Sequence, residues 1–211
     1  MSKLIESTTI IFLLGLLMLI GRYFITGNSG YYFLLWNLLL AIVPLIISII
    51  NEKYRKLTIL LLPIWILFYP NAPYIVTDYI HIPKEHALFL QSYNFILVTI
   101  FSFLGLLFGF LALYKQNTIM FPKRQDKQNM FTLFMSLASA FGVYLGRFLR
   151  FNSWDIVKPH ILLNMAHETI EDYFYVGIFT IALIFLINYL GYTEFKKFMD
   201  ADNRNTIKNK Y

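Results

Sequence analysis

The stretch LTILLLPIWILFYPNAPYIVTDYIH, residues 57–81, decides how the chain is read. Its opening part, 57–69, is apolar and carries no charge. As an α-helix it would reach about 20 Å, short of the roughly 30 Å of hydrocarbon that a spanning helix must cross. Pro70 and Pro73 follow, with the turn-forming Asn71 between them. Each proline removes a backbone donor and crowds the preceding turn, so a helix is expected to end or bend here. The crossing must then be completed in a broken form, and irregular backbone at that depth is tolerated only where protein or a water-lined cavity surrounds it. Thr77, Asp78 and His81 come directly after the break and mark it as a candidate site. The plainer reading is a helix exit into an ordinary polar loop.

Outward from this break, five further apolar segments are long enough, or nearly so, to span a bilayer: 8–24, 31–50, 95–114, 130–149 and 173–190. The composition agrees. Of 211 residues, 58% are hydrophobic and 14% charged, with 21 Phe and 15 Tyr, and mean hydropathy is +0.58. Soluble domains carry about 25% charged residues. The first segment lacks a small-x-small cleavage pattern and runs into Arg22 and Tyr23, so it reads as a retained helix rather than a signal peptide. The expected fold is all-α: a polytopic membrane bundle of six spans, the third broken at Pro70–Pro73, plus a short interfacial helix. It forms one transmembrane domain over 1–192, followed by a short, basic, poorly ordered cytoplasmic tail over 193–211. With no cysteine, disulfides and thiolate chemistry are excluded.

Six spans put both termini on one side. Of the 18 Lys and Arg, only Arg22, Lys84, Arg147, Arg150 and Lys158 then fall on the other. The positive-inside rule makes the termini cytoplasmic. The net +6 is thereby a topology signal and a fit to anionic lipid headgroups, and no nucleic-acid partner is needed to explain it. The expected partners are membrane lipids, with a membrane-protein partner or a second copy of the chain also open.

All four histidines, His81, His86, His160 and His167, lie on the expected extracytoplasmic side with Asp78, Glu85, Asp155, Glu168, Glu171 and Asp172. The fifth span ends in Gly146-Arg147-Phe148-Leu149-Arg150-Phe151-Asn152-Ser153-Trp154-Asp155. Its two arginines are three apart, on one helical face. They stand on the side that the topological bias empties. They can pair with Asp78 or Asp155, hold an anionic headgroup, or snorkel beside Trp154. Beyond them, Pro159 opens an amphipathic helix to about Asp172 that would lie in the interface. His167 and Glu171 on its polar stripe have i, i+4 spacing, with His160 further back; these are weak metal candidates beside the simpler reading of a solvated face. Gly105-x-x-x-Gly109 and the Ala138, Gly142, Gly146 ladder are close-packing signals. Pro44 and Pro63 sit within spans and are expected to kink them. No phosphate-cradling loop, nucleophile elbow or zinc signature is present, and no cofactor is indicated.

The stretches 68–78 (FYPNAPYIVTD) and 146–155 (GRFLRFNSWD) resemble the two signatures of the bacterial integral-membrane family called domain of unknown function 1361, and the likeness extends over nearly the whole chain. The resemblance implies a multi-pass protein of the bacterial cell membrane and no established activity, so it transfers no catalytic roles.

The expected site is a polar extracytoplasmic pocket. Asp78 and Asp155 are the candidate catalytic carboxylates. Asn71, Tyr74, Thr77, His81, Arg147, Arg150, Asn152, Ser153 and Trp154 are the candidate ligand contacts. Three functions stay open: binding or chemistry on an anionic or lipid-linked headgroup, a non-enzymatic scaffold or accessory subunit, and a transporter. A scaffold would close Arg147 or Arg150 onto Asp78 or Asp155; an enzyme would leave a carboxylate open to its substrate.

Overall fold

The computed structural model describes residues 2–83, 87–150 and 159–208, with side chains described over 4–83, 87–150 and 175–204. Its elements are α1 (Ser2–Thr26), α2 (Phe33–Lys53), a 3-10 turn (Arg55–Leu57), α3 (Thr58–Phe68), the single turn α4 (Asn71–Tyr74), a 3-10 helix (Ile75–His81), α5 (Leu88–Met120), α6 (Gln125–Phe148) and α7 (Pro159–Lys208). The described residues contain no strand. Among the described residues, six helical segments are long and apolar enough to cross a membrane: Leu4–Thr26, Phe33–Lys53, Arg55–His81, Leu88–Met120, Gln125–Phe148 and Tyr175–Arg204. The chain is an all-α, multi-pass membrane protein, and each expected span overlaps one of these segments.

The third crossing is broken where the prolines stand. The last α-helical bond before the break runs from the Tyr69 N–H to the Trp65 carbonyl at 3.0 Å. Pro70 has no N–H to continue the ladder. The Ala72 N–H tightens onto the Tyr69 carbonyl at 3.1 Å, and the Asn71 side-chain amide donates to the Phe68 carbonyl at 2.8 Å. Freed carbonyls are thus satisfied from within the chain, as a lipid environment demands. From Ile75 the backbone winds as a 3-10 helix, which rises about 2.0 Å per residue and so gains length quickly toward the membrane surface.

This irregular segment is enclosed by glycines. A Cβ added to Gly142 would lie 2.6 Å from Pro70 Cγ, one on Gly109 would lie 2.7 Å from Ala72 Cβ, and one on Gly105 would lie 2.8 Å from Ile75 Cδ1. The Gly105-x-x-x-Gly109 pair and Gly142 therefore seat the chain's own proline turn. Small residues let backbones approach in lipid, where association relies on packing.

Around the turn, Ala72 and Ile75 join Leu34, Leu38, Ala41, Leu97, Phe101 and Leu104 in one core cluster. A second cluster holds Trp65, Tyr69, Ala112, Leu113, Met135 and Tyr192. Polar links stitch it across the bundle. The Trp65 indole donates to Ser48 Oγ at 2.8 Å, and the Tyr69 hydroxyl donates to Asn188 Oδ1 at 3.1 Å. The Asn188 amide in turn donates to Ser139 Oγ at 2.8 Å.

Three expectations change. The helix beginning at Pro159 runs into the sixth span as one 50-residue element instead of a separate interfacial piece. Residues 171–176 (EDYFYV) contain no proline or glycine to end it. The segment after Tyr192 is helical to Lys208, where a poorly ordered tail was expected. It is tied down there by the buried Met199 and by Asp200, which accepts from the Tyr114 hydroxyl at 2.9 Å. Arg22, expected as a loop charge, is 4% exposed on α1 and donates through Nε to Asn94 Oδ1 at 2.7 Å.

Candidate functional site

In a 3-10 helix residues three apart stack along one edge. Winding 75–81 this way puts Asp78 above Ile75 and His81 above Asp78, while Thr77 stacks on Tyr74. Ile75 packs on α5 at Gly105, while Thr77, Asp78 and His81 come within reach of Arg147 in the C-terminal turn of α6. The geometry thus starts with the proline break: it forces the local switch of helix type that lines up four side chains for one guanidinium.

Arg147 meets all four. Its Nη2 donates to Asp78 Oδ1 at 2.5 Å, and its Nε donates to Thr77 Oγ1 at 2.8 Å. Nη1 lies 2.7 Å from His81 Nε2, and the guanidinium carbon sits 4.3 Å over the Tyr74 ring. A guanidinium only donates, so His81 Nε2 is the acceptor, which is the neutral tautomer with its proton on Nδ1. Thr77 uses its own hydroxyl proton on the Tyr74 carbonyl at 2.7 Å. That leaves the oxygen's lone pairs for Arg147. The Phe33 ring packs edge-on to His81, with centroids 5.2 Å apart.

Asp78 is 1% exposed, and the Arg147 side chain 7%. Both carboxylate oxygens are held, Oδ1 by Arg147 and Oδ2 by the Asn37 amide at 2.9 Å. Charge-assisted bonds of this kind are about twice as strong as neutral ones. Removing one member of a buried pair costs much more than the pair is worth net, because the survivor is left desolvated. The arrangement is therefore a clamp between the third span, α6 and, through Asn37, α2.

Of the residues expected at the site, Thr77, Asp78, His81, Tyr74 and Arg147 are brought together. Asn71 serves the proline turn, donating to the Phe68 carbonyl. Arg150, one turn beyond Arg147, is exposed and adopts a left-handed backbone with φ of 54° as α6 ends. Asn152, Ser153, Trp154 and Asp155 lie outside the described residues. His160, His167 and Glu171 belong to α7, but their side chains also lie outside them. Among the described residues no group of three or more His, Asp or Glu is placed to hold a metal ion.

Sequence reasoning missed Asn37. Its signal was available, since a lone amide within the otherwise apolar run 31–50 needs a buried partner. It also missed that Arg22 and Asn94 form a second buried polar contact on the same side of the bundle, with the Arg22 guanidinium 5.1 Å from the Tyr31 ring centre.

A family model described as "Protein of unknown function (DUF1361)" matches residues 36–188, a stretch that contains the proline turn, the 3-10 helix and both arginines. No curated protein and no solved structure matches the chain.

Proposed function

Because the chain belongs to the DUF1361 family, which carries no assigned activity, we propose a function from the site's own geometry: a non-enzymatic scaffold or accessory subunit of a membrane complex, whose charged cluster holds the broken third span in place. One observation carries this reading. Both oxygens of Asp78 and all three nitrogens of Arg147 are already engaged within the chain. A general base needs a free lone pair within reach of a substrate proton, and an anion site needs free donors. About two lone-pair sites of the carboxylate and two N–H groups of the guanidinium are left over, but with Asp78 1% and the Arg147 side chain 7% exposed they are closed off from an incoming substrate.

Asp78→Asn and Arg147→Lys separate structure from catalysis. A structural clamp lowers the melting temperature of the detergent-purified protein, and any cellular phenotype then follows protein level. If Asp78→Asn melts like the parent protein and still abolishes a lipid-linked phenotype, the enzymatic reading replaces this one.

A second reading has its own support. Arg150 is exposed just past the end of α6, outside the clamp, and His81, which accepts from Arg147, is itself exposed. Such a rim suits an anionic or lipid-linked headgroup at the extracytoplasmic surface of a bacterial cell membrane. Arg150→Gln should then weaken binding to phosphatidylglycerol vesicles without changing stability. Transport is less well supported, because the clamp sits at one end of the bundle and, among the described residues, no second span shows a paired-proline break.

A further inference from the structure

The opposite end of the bundle carries a feature that the clamp does not explain. A groove of about 800 Å³ runs between α1 and α2, with α5 as its floor. That is within the ~300–1,000 Å³ usual for small-molecule sites. Its origin is local. α1 seats closely on α5 at Gly15, where an added Cβ would lie 3.0 Å from Ile100 Cγ2, and at Gly21, where it would lie 2.9 Å from the Tyr93 hydroxyl. Before Gly15 no glycine draws the helices together, and the first turns of α1, from Leu4 to Phe12, form one wall of the groove.

The groove is amphipathic along its length. Its trough is aliphatic, with Leu39, Ile42 and Leu111 among its lining, and its mouth carries Glu52, Arg55 and Lys115. Lys115 pairs with Glu52 at 2.5 Å, so the exposed Arg55 leaves the mouth with one positive charge in excess. Lys53 and Lys56 flank it in sequence. From Leu35 to Glu52 along α2 is about 25 Å. One leaflet of a 30 Å core needs about half of that core's thickness, so a whole acyl chain fits below the mouth.

We infer that this groove binds one anionic phospholipid, its acyl chain along Leu39, Ile42 and Leu111 and its phosphate at Arg55 and Lys115. An apolar trough that ends in a basic mouth between transmembrane helices matches that chemistry at both ends. A zwitterionic lipid gains nothing from the excess charge.

The test titrates detergent-purified full-length protein with palmitoyl-oleoyl phosphatidylglycerol or the phosphatidylcholine of the same chains, and reads the first bound lipid by native mass spectrometry. Phosphatidylglycerol should bind roughly tenfold more tightly. Arg55→Gln with Lys115→Gln should bring it to the phosphatidylcholine level, and Ile42→Trp with Leu111→Trp, filling the trough, should weaken both. Equal affinity for the two lipids in the parent protein, or a preference that survives the Arg55→Gln and Lys115→Gln pair, overturns the inference. Because Arg55 is exposed, that variant decides the matter even if the tryptophan variant does not fold.

Discussion

Asp78 and Arg147 stand 69 residues apart in the chain and meet at 2.5 Å, with the aspartate 1% exposed. Removing either partner strands the other, and for buried pairs that costs about 3–5 kcal/mol. Arg147→Met and Asp78→Leu should each lose stability of that order. The double variant should recover most of it, since an apolar pair of similar volume can replace a buried ion pair at little net cost. Unfolding measured on all four proteins in one detergent closes a double-mutant cycle. Additive losses would mean that the two charges are not energetically coupled.

The proline turn should be as sensitive to added volume as the clamp is to lost charge. Gly142→Ala would drive a methyl to 2.6 Å from Pro70 Cγ, and Gly109→Ala to 2.7 Å from Ala72 Cβ. Neither the proline ring nor the alanine methyl can rotate away. Overpacking of this type costs about 1–3 kcal/mol. Gly105→Ala meets the flexible end of Ile75 at 2.8 Å and the fixed Ala72 carbonyl oxygen at a looser 3.0 Å, so it should cost less than the other two without being free. Melting temperatures should therefore fall for Gly142→Ala and Gly109→Ala, and less for Gly105→Ala. An equal fall in all three would argue against the turn as the tight point.

Buried and exposed hydroxyls should separate in the same assay. Tyr69 is fully buried and donates to Asn188, which donates on to Ser139. Tyr69→Phe orphans an acceptor inside the bundle and should cost about 1–2 kcal/mol. Interhelical bonds in membranes average nearer ~0.6 kcal/mol where the partner finds a substitute, so the low end applies if Asn188 can turn. Tyr79 shares a hydrogen bond with Thr99 at 2.8 Å in an exposed position. Tyr79→Phe should leave stability nearly unchanged, and a loss matching that of Tyr69→Phe would contradict the burial argument.

The parts of this molecule that were legible in sequence are those set by local backbone chemistry. Pro70, Pro73 and Asn71 announce a break because proline lacks a donor wherever it occurs, and the spans follow from hydropathy. Partner choice is a different matter. Arg147 had Asp78 and Asp155 as alternatives, and nothing in their spacing distinguished them. The distinction comes from the 3-10 winding of 75–81, which aligns Asp78 with His81, and from Asn37, whose place opposite Asp78 is a product of packing. The glycines show the same limit. Their spacing foretold close approach, but only the fold reveals that Gly105, Gly109 and Gly142 receive the chain's own turn. The length of α7 is not legible from its polar stripe, because a helix ends where caps or breakers stand, and residues 171–176 contain neither proline nor glycine.

Orientation is the remaining property on which the headgroup reading depends, and it has a direct test. With six crossings the termini share one side, and basic residues concentrate there at the span ends and between them: Lys53, Arg55, Lys56, Lys115, Lys123, Arg124 and Lys127 around the connections, and Lys196, Lys197 and Arg204 toward the end of α7. The rule that such residues stay cytoplasmic predicts that a fluorescent reporter folding only in the cytoplasm will light up on either terminus. Alkaline phosphatase, active only outside, should be silent at both and active when inserted at position 85, between the third and fourth crossings. Arg22 does not oppose this orientation, because it is buried against Asn94 instead of lying in a loop. Active phosphatase at the C-terminus would reverse the bundle. It would place the Arg147–Asp78 clamp on the cytoplasmic face and remove the case for an extracytoplasmic headgroup at Arg150, while leaving the clamp itself untouched.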